Sequence, residues 1–294
     1  MKTSRVPVYL YAISSMLFWG GSYILTSILL NYFQPVTIIF IRILISAIFL
    51  FSLIFLWKKW QRIRREDLLL LFLSAVFNPF LYFIGENYGV KYCASTVSAI
   101  MIATIPVFSP LAAWLAYRER LTSLNLTGIG VSFIGILIML FNKDFSPAAD
   151  PKGILFLSGA ILSALFYSVI LRKLTMMYSP FQIIAMQNFI GIFLFLPVLL
   201  LFETPDPGKL TINAEVIISF LFLSVFASSL AYVFFAKTIK ELGVSKANIF
   251  SNLIPVFTAI FSYFILDELI SLKKILGMSL VIAGVYLSQR VAMR

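Results

Sequence analysis

Ten apolar stretches, each about 20 residues long, follow one another along this 294-residue chain. They occupy residues 7–28, 36–56, 68–88, 93–117, 124–141, 153–171, 180–201, 214–236, 245–266 and 273–290. A helix of this length crosses the hydrocarbon core of a bilayer, which is roughly 30 Å thick. The sequence therefore predicts an all-α integral membrane protein with ten transmembrane helices. The first stretch is too long for a cleavable signal peptide, so we expect it to be the first of these helices.

The composition excludes an ordinary soluble protein. Hydrophobic residues make up 61% of the chain and charged residues only 12%, whereas soluble domains carry roughly 25% charged residues. The chain has no histidine, and Cys93 is its single cysteine. It therefore lacks the commonest metal ligand and the commonest proton carrier at neutral pH, and it has no partner for an internal disulfide. We expect no metal and no other cofactor.

The net charge of +11 is distributed over short loops between apolar stretches. With both termini on the cytoplasmic side, 16 of the 23 Lys and Arg residues fall on that side and 6 on the other, while Arg42 lies within a helix. Short cytoplasmic loops of membrane proteins carry such an excess. The pattern predicts a multi-pass protein of the cell (inner) membrane with both termini cytoplasmic, and it argues against a nucleic-acid partner.

The four letters IPVF occur twice, at 105–108 and at 254–257, which are 149 residues apart. The same offset relates further pairs: Glu119 and Glu268, Thr122 and Ser271, Gly128 and Gly277, Gly135 and Gly284. Several matches on one register indicate an internal duplication. Each half, residues 1–145 and 146–294, would hold five helices. Because five is odd, the second half enters the membrane from the opposite side, which gives an inverted-topology repeat typical of secondary transporters.

Two segments carry a family resemblance. The opening FWGGSYILTSILLNYFQPVTIIFIRILISAIFL and the later STVSAIMIATIPVFSPLAAWLAYRERLTSLNLTGIGVSFIGILI resemble the start and end of EamA-type modules in the drug/metabolite transporter superfamily. The ending recurs as SKANIFSNLIPVFTAIFSYFILDELISLKKILGMSLVIAGVYL. The resemblance implies ten helices in two inverted halves and the export of small metabolites. The second half departs from the pattern because Gln187 stands where an arginine equivalent to Arg42 is expected.

Proline interrupts two of the predicted helices near their middle, at Pro106 and Pro255. A proline inside a helix removes a backbone donor, which frees the carbonyls of Ile102 and Ser251. In lipid such carbonyls must face protein, water or a ligand. We expect these helices to line a central cavity or to act as hinges, the alternative being an ordinary packing kink.

Two further predicted helices carry polar residues at helical spacing. Asn248 and Asn252 lie one turn apart before Pro255, so we expect their amides to share a face that binds the polar group of a cargo. The alternative is hydrogen bonding between helices. Trp19, Ser22 and Tyr23 give the first helix a mixed aromatic and hydroxyl face, which suits a partly apolar cargo or plain packing.

A polar stripe formed by Asn78, Tyr82 and Glu86 runs along the third predicted helix, while Arg42 lies in the second. Ionisable residues inside a membrane are functional candidates by default. We expect Arg42 to pair with Glu86 or with backbone carbonyls, and the pair to serve in gating or in proton coupling. The alternatives are a structural lock for Arg42 and a solvated helix end for Glu86.

These features favour a monomeric secondary transporter, not an enzyme, that exports small metabolites, amino acids or similar zwitterionic compounds. Broad drug efflux is the runner-up, although no predicted helix carries a carboxylate near its centre. A membrane-embedded enzyme is disfavoured because paired carboxylates with acid–base spacing are missing from the predicted helices. A channel or receptor would not explain the inverted repeat. Besides the cargo, the expected partner is anionic lipid, contacted by basic residues of one loop: Lys58, Lys59, Arg62, Arg64 and Arg65.

Overall fold

The computed structural model describes residues 6–119, 122–140, 150–203, 212–266 and 271–289. Within these ranges the chain is helical, without a β-strand. The prediction of an all-α protein is thereby confirmed. The predicted boundary between residues 145 and 146, and both chain termini, lie outside the described residues.

Among the described residues, eight helices are long and apolar enough to cross a membrane. They are α1 (Val6–Leu29), α2 (Pro35–Leu56), α3 (Arg65–Tyr92), α4 (Ser95–Tyr117), α6 (Pro151–Thr175), α7 (Pro180–Phe202), α8 (Ala214–Leu242) and α9 (Val244–Leu266). Two shorter apolar helices, α5 (Ser123–Leu140) and α10 (Leu272–Gln289), fall on the remaining predicted windows. The helices agree with the predicted windows to within a few residues at most ends.

The sequence marks several helix starts with proline and a capping side chain. Helices α2, α6 and α7 each begin at a proline, whose missing N–H has no intrahelical partner to lose at that position. Asp150 caps α6 by accepting a 2.8 Å hydrogen bond from the Lys152 amide. The Asn213 side chain accepts one of 2.9 Å from the Val216 amide at the start of α8. Such caps satisfy amide groups that the first helical turn leaves open.

Contacts between loops place alternate connections on two sides of the molecule. On the side where α1 begins, called the first side below, the Arg64 amide donates to the Tyr178 hydroxyl at 3.1 Å. On the same side the Glu119 carboxylate, after α4, accepts hydrogen bonds from the Val244 and Ser245 amides at the start of α9, both 3.1 Å.

The second side has a similar contact. The Glu203 carboxylate, after α7, accepts hydrogen bonds from the amides of Val36 at 3.0 Å and Thr37 at 2.8 Å. The Tyr88 hydroxyl, from α3, donates to the same carboxylate at 3.2 Å. A carboxylate at a helix N-terminus meets both free amides and the positive end of the helix dipole. Each side of the molecule is thus tied together by a carboxylate that caps a helix distant in sequence.

Helices α5 and α10 pack backbone to backbone. A Cβ atom on Gly128 would lie 2.6 Å from the Gly284 carbonyl oxygen, and one on Gly135 would lie 2.6 Å from the Gly277 carbonyl oxygen. Small residues permit such close approach between membrane helices, which lack a hydrophobic driving force for association. The glycines at 128, 135, 277 and 284 therefore define the contact surface of α5 and α10.

We predict that Gly128→Ala lowers the thermal midpoint of the purified protein, whereas Gly130→Ala does not. Both changes add the same methyl group to α5 and raise helix propensity by about 1 kcal/mol. At position 130 the methyl group meets open space, and at 128 it meets backbone of α10, a clash worth about 1–3 kcal/mol. Thermal unfolding in detergent compares the two variants, and equal midpoints would contradict the packing described.

Candidate functional site

Four membrane-spanning helices are interrupted near their middle. Helix α3 contains a π-helical stretch at Val76–Leu81, and α8 contains one at Phe222–Leu230. Helix α4 breaks at residues 103–104, and α9 passes through a 3₁₀ turn at Phe250–Leu253. Irregular backbone at membrane depth is tolerated only where protein buries it or where it lines a cavity. We therefore expect the four interruptions to lie in the interior of the molecule.

Proline explains three of these interruptions. Asn78 leaves helical geometry with φ −150° and ψ 118°, because the following Pro79 disfavours the α region for its neighbour. Pro106 and Pro255 each occupy the second position of the α-helical segment that follows a break, where proline is well tolerated. The stretch Phe222–Leu230 contains neither proline nor glycine, so no local sequence signal predicts its π-helical form.

A closed central cavity of about 30 Å³ lies where these helices meet, room for one or two water molecules. Six helices contribute to its lining, which contains aromatic, hydroxyl and amide groups but no charged side chain. The lining residues are Trp19, Asn78, Tyr82, Ile102, Ile105, Ala164, Tyr167, Ser168, Tyr232, Phe235, Asn248, Ser251 and Ile254. Of the nine residues predicted to form the cavity, four are among them: Trp19, Asn78, Tyr82 and Asn248.

An aromatic wall fixes one side of the cavity. The Trp19 ring meets those of Tyr232 and Phe235 edge to face, with centroids 4.9 and 5.1 Å apart. The Trp19 indole N–H donates a 3.2 Å hydrogen bond to the carbonyl of Ala227, within the π-helical part of α8. The Trp19 indole thus satisfies one backbone carbonyl within the interrupted part of α8. Such edge-to-face pairs hold aromatic rings in fixed orientations.

Asn248 presents a hydrogen-bond donor to the cavity. Its side chain is 2% exposed, and its Nδ2 group has no hydrogen-bond partner among the described residues. Its Oδ1 atom accepts a long hydrogen bond of 3.5 Å from the Ser168 hydroxyl. Leaving a buried amide unpaired costs about 1–3 kcal/mol. The Asn248 amide is therefore available to a hydrogen-bond acceptor that enters the cavity.

Two tyrosines connect the cavity to other polar groups. Asn78 donates to the Tyr232 hydroxyl at 3.1 Å. The Tyr82 hydroxyl donates to Glu86 at 3.1 Å, and the other oxygen of Glu86 lies 3.7 Å from a guanidinium nitrogen of Arg42. The polar stripe predicted on α3 thus runs from the cavity lining to a buried ion pair.

Arg42 is 1% exposed and is held on three sides. Its Nε donates a 2.8 Å hydrogen bond to the Ser228 hydroxyl in the interrupted part of α8. Its guanidinium carbon lies 4.2 Å from the centre of the Phe83 ring, in cation–π contact. Together with the Glu86 carboxylate, these contacts compensate part of the cost of burying the charge, although Nη1 of Arg42 has no hydrogen-bond partner among the described residues.

Gln187 occupies the position in α7 where the resemblance led us to expect an arginine. Its amide donates to the Ser74 hydroxyl at 3.0 Å and accepts from the Tyr167 hydroxyl at 3.2 Å. Tyr167 lines the cavity, so Gln187 contacts the site indirectly. Sequence reasoning did not identify Tyr167, Ser168 or Tyr232, because single aromatic and hydroxyl residues carry little signal in a chain with 16% aromatic residues.

Five residues predicted to form the cavity are buried outside its lining: Ser22, Tyr23, Pro106, Asn252 and Pro255. The Ser22 hydroxyl donates to the Trp19 carbonyl of its own helix at 2.7 Å. Asn252 donates to the Ser132 hydroxyl of α5. The expectation that Asn248 and Asn252 share a face assumed regular α-helix, and the 3₁₀ turn at Phe250–Leu253 changes the angle between them.

The basic loop after α2 is exposed, including all five side chains expected to meet lipid: Lys58, Lys59, Arg62, Arg64 and Arg65. Cys93, between α3 and α4, is buried against Gly153. Burial raises the pKa of its thiol above the ordinary value, which lowers its reactivity. Among the described residues, no cluster of three or more histidine, cysteine or acidic side chains could hold a metal ion.

The fold and this site define a polytopic membrane protein with a closed polar cavity, and comparison with known proteins gives its family. The EamA-like transporter family model matches residues 6–141 and again residues 151–289. The chain therefore belongs to the EamA-like transporter family. The family resemblance noted in the sequence is confirmed.

Relatives in other organisms carry transporter names. An uncharacterized transporter of Archaeoglobus fulgidus is 27% identical over 93% of this chain and 94% of its own length. The uncharacterized transporter YyaM of Bacillus subtilis is 26% identical over 96% of this chain and 93% of its own length. A protein of known crystal structure shares the fold, with a TM-score of 0.81 at 14% identity, over 98% of this chain and all of the other. Membrane transport is thus the activity of the class.

We predict that Arg42→Met lowers the free energy of unfolding by about 3–5 kcal/mol, because it leaves the Glu86 carboxylate buried without its counter-charge. The double variant Arg42→Met/Glu86→Gln removes both charges and should recover most of that loss. Thermal or denaturant unfolding of the two variants in detergent measures the difference. A double variant no more stable than the single one would show that the two charges do not interact.

Proposed function

We propose that this chain is a secondary transporter of the cell (inner) membrane that exports small metabolites, amino acids or similar zwitterionic compounds, by alternating access around the central cavity. One observation carries the proposal: four interrupted helices meet at a closed, uncharged cavity in which a buried amide lacks a partner. Transporter sites typically lie at such interruptions near the middle of the membrane. Export as the direction rests on the family resemblance alone.

The proposed architecture is ten membrane helices in two inverted halves, residues 1–145 and 146–294, with both termini cytoplasmic. Support comes from the position of the interruptions, which fall in the third and fourth helices of each half. The contact between α5 and α10 is reciprocal, since Gly128 meets Gly284 and Gly135 meets Gly277. Reciprocal contact is what a two-fold relation between equivalent helices requires. The first side, which holds the basic loop after α2, would be cytoplasmic.

The cavity lining supports a cargo without net charge. Its side chains are uncharged, and the free Asn248 amide suits a carboxylate or carbonyl oxygen. Trp19 and its aromatic neighbours suit an apolar side chain or, through cation–π contact, an ammonium group. Efflux of cationic drugs has less support, since the nearby carboxylate of Glu86 is paired with Arg42.

A coupling role is proposed for Arg42 and Glu86. Tyr82 lines the cavity and donates to Glu86, so a change in the protonation or position of Glu86 would reach the cargo through one hydroxyl group. Arg42 bonds to Ser228 in the interrupted part of α8, so the pair joins α2, α3 and α8. A movement of α8 against α2 would break the bond between Arg42 and Ser228 and so remove one of the contacts that hold Arg42 beside Glu86, which makes the pair suited to gating.

The proposal also covers lipid contact, oligomeric state and energy source. The exposed basic loop would contact anionic lipid on the cytoplasmic surface, where each basic residue contributes about 1 kcal/mol. We propose a monomer as the transporting unit. The energy source would be a gradient of protons or of the cargo itself.

We predict that purified protein in liposomes gives saturable amino-acid flux without chemical change of the cargo, and that Asn248→Leu raises KM at least tenfold. The substitution removes the free donor from the cavity, so it should leave the thermal midpoint unchanged or higher. Asn252→Leu is the matched control. It breaks the bond to Ser132 and should lower stability with little effect on KM. A wild-type KM in Asn248→Leu would contradict the proposed cavity.

We further predict that Glu86→Gln flattens the dependence of transport on pH, because a proton-coupling carboxyl group is lost. The glutamine side chain keeps a hydrogen-bond acceptor for the Tyr82 hydroxyl, but it does not ionise near neutral pH. Flux measured across imposed pH gradients, with wild type in parallel, reports the change. A pH profile identical to that of wild type would rule out coupling through Glu86.

A further inference from the structure

A second, larger cavity lies between α1, α9 and α10. Its volume is about 510 Å³, and apolar atoms form almost all of its wall. The residues that shape it include Tyr9, Phe250, Leu253, Phe257, Ile282 and Val285. It is separate from the central cavity and shares no lining residue with it. We call it the lateral slot.

The lateral slot faces the bilayer. Ile13 and Ile282, which both line it, are 40% and 50% exposed, and the helices that carry them are apolar along their length. Water in a slot of this composition would lack hydrogen-bond partners, and an engineered apolar cavity of about 150 Å³ already stays dry. Hydrocarbon from the surrounding membrane is the material whose chemistry matches the wall.

One residue that lines the slot carries a buried polar atom without a partner. The hydroxyl oxygen of Tyr9 is buried and has no hydrogen-bond partner among the described residues. Tyr9 lies in the first turn of α1, on the first side, and Tyr286 lines the same end of the slot from the last turn of α10. Tyrosines at this depth mark the boundary between hydrocarbon and headgroups. A lipid whose tail entered the slot would bring its ester or phosphate oxygens close to Tyr9.

The charge of the first side indicates which lipid fits. The first side holds the Lys- and Arg-rich loop at 58–65, and most Lys and Arg residues of the sequence belong to the same side in the proposed topology. Basic residues at a membrane surface attract anionic lipid to the leaflet on that side. We propose that the lateral slot binds one tail of an anionic phospholipid from the first-side leaflet. A headgroup oxygen of this lipid would accept a hydrogen bond from the Tyr9 hydroxyl.

This lipid would contact the interrupted part of α9. Phe250 and Leu253 belong to its 3₁₀ turn and line the slot, whereas their neighbours Ser251 and Ile254 line the central cavity. One face of this turn would therefore contact lipid, and the opposite face lines the central cavity. An acyl chain in the slot braces this turn, so its removal loosens the cargo site. This last step rests on the proposed transport function, whereas lipid binding itself does not.

Native mass spectrometry of the purified full chain tests the binding. Phosphatidylglycerol and phosphatidylcholine with identical tails are the probes, and wild type should retain phosphatidylglycerol at least fivefold better. Ile282→Trp places a bulky ring in the slot and should lower retention of one lipid. Leu276→Trp is the matched control, because Leu276 lies on the same helix, is 55% exposed and does not line the slot. Tyr9→Phe should weaken binding about threefold to tenfold, since one hydrogen bond is lost.

The outcomes separate the alternatives. Retention by Ile282→Trp equal to that of Leu276→Trp would overturn the slot as the site, and lipid held only by the basic loop would give that result. Equal retention of the two lipids by wild type would overturn the anionic assignment. Flux in liposomes is measured separately. Loss of flux with lipid binding intact would count against the transport proposal alone, and loss of the bound lipid without any change in flux would count against the bracing of α9.

Discussion

The demand for backbone hydrogen bonds inside a membrane governs the structure. A helix satisfies its own amide and carbonyl groups, so an interruption at membrane depth must be covered by protein or must line a cavity. Helices α3, α4, α8 and α9 all contain such interruptions, and residues of all four line the same central cavity. Trp19 shows how one freed group is satisfied, since its indole N–H donates to the Ala227 carbonyl in α8.

Burial of charge adds a second constraint. Arg42 is almost fully buried and depends on Glu86, Ser228 and the Phe83 ring for its partners. These partners come from two other helices, so the relative position of α2, α3 and α8 decides how well the charge is stabilised. Breaking such a pair costs several kcal/mol. The Arg42–Glu86 pair therefore stabilises the packing of these helices. It also connects their relative position to the cavity, because Tyr82 lines the cavity and donates a hydrogen bond to Glu86.

Much of this arrangement could be predicted from the sequence, because membrane helices have simple signals. Apolar length located the helices, and helical spacing identified Trp19, Asn78, Tyr82 and Asn248 as cavity residues. Helical spacing also placed Asn252 on the same face as Asn248, but Asn252 lies within the 3₁₀ turn, where α-helical spacing does not apply. The interruption of α8 has no proline or glycine to reveal it. The lateral slot arises where α1 packs against α9 and α10 from the other end of the chain, which no local pattern records.

The proposed alternating access requires the central cavity to open in turn to each side of the membrane. Ser168 lines it and is 1% exposed, so Ser168→Cys in a Cys93→Ser background places a single thiol there. Labelling with a membrane-impermeant maleimide, applied from each side of oriented liposomes, measures access directly. Alternating access predicts labelling from both sides and protection by cargo. Labelling from one side only, or labelling unaffected by any transported cargo, would contradict the account.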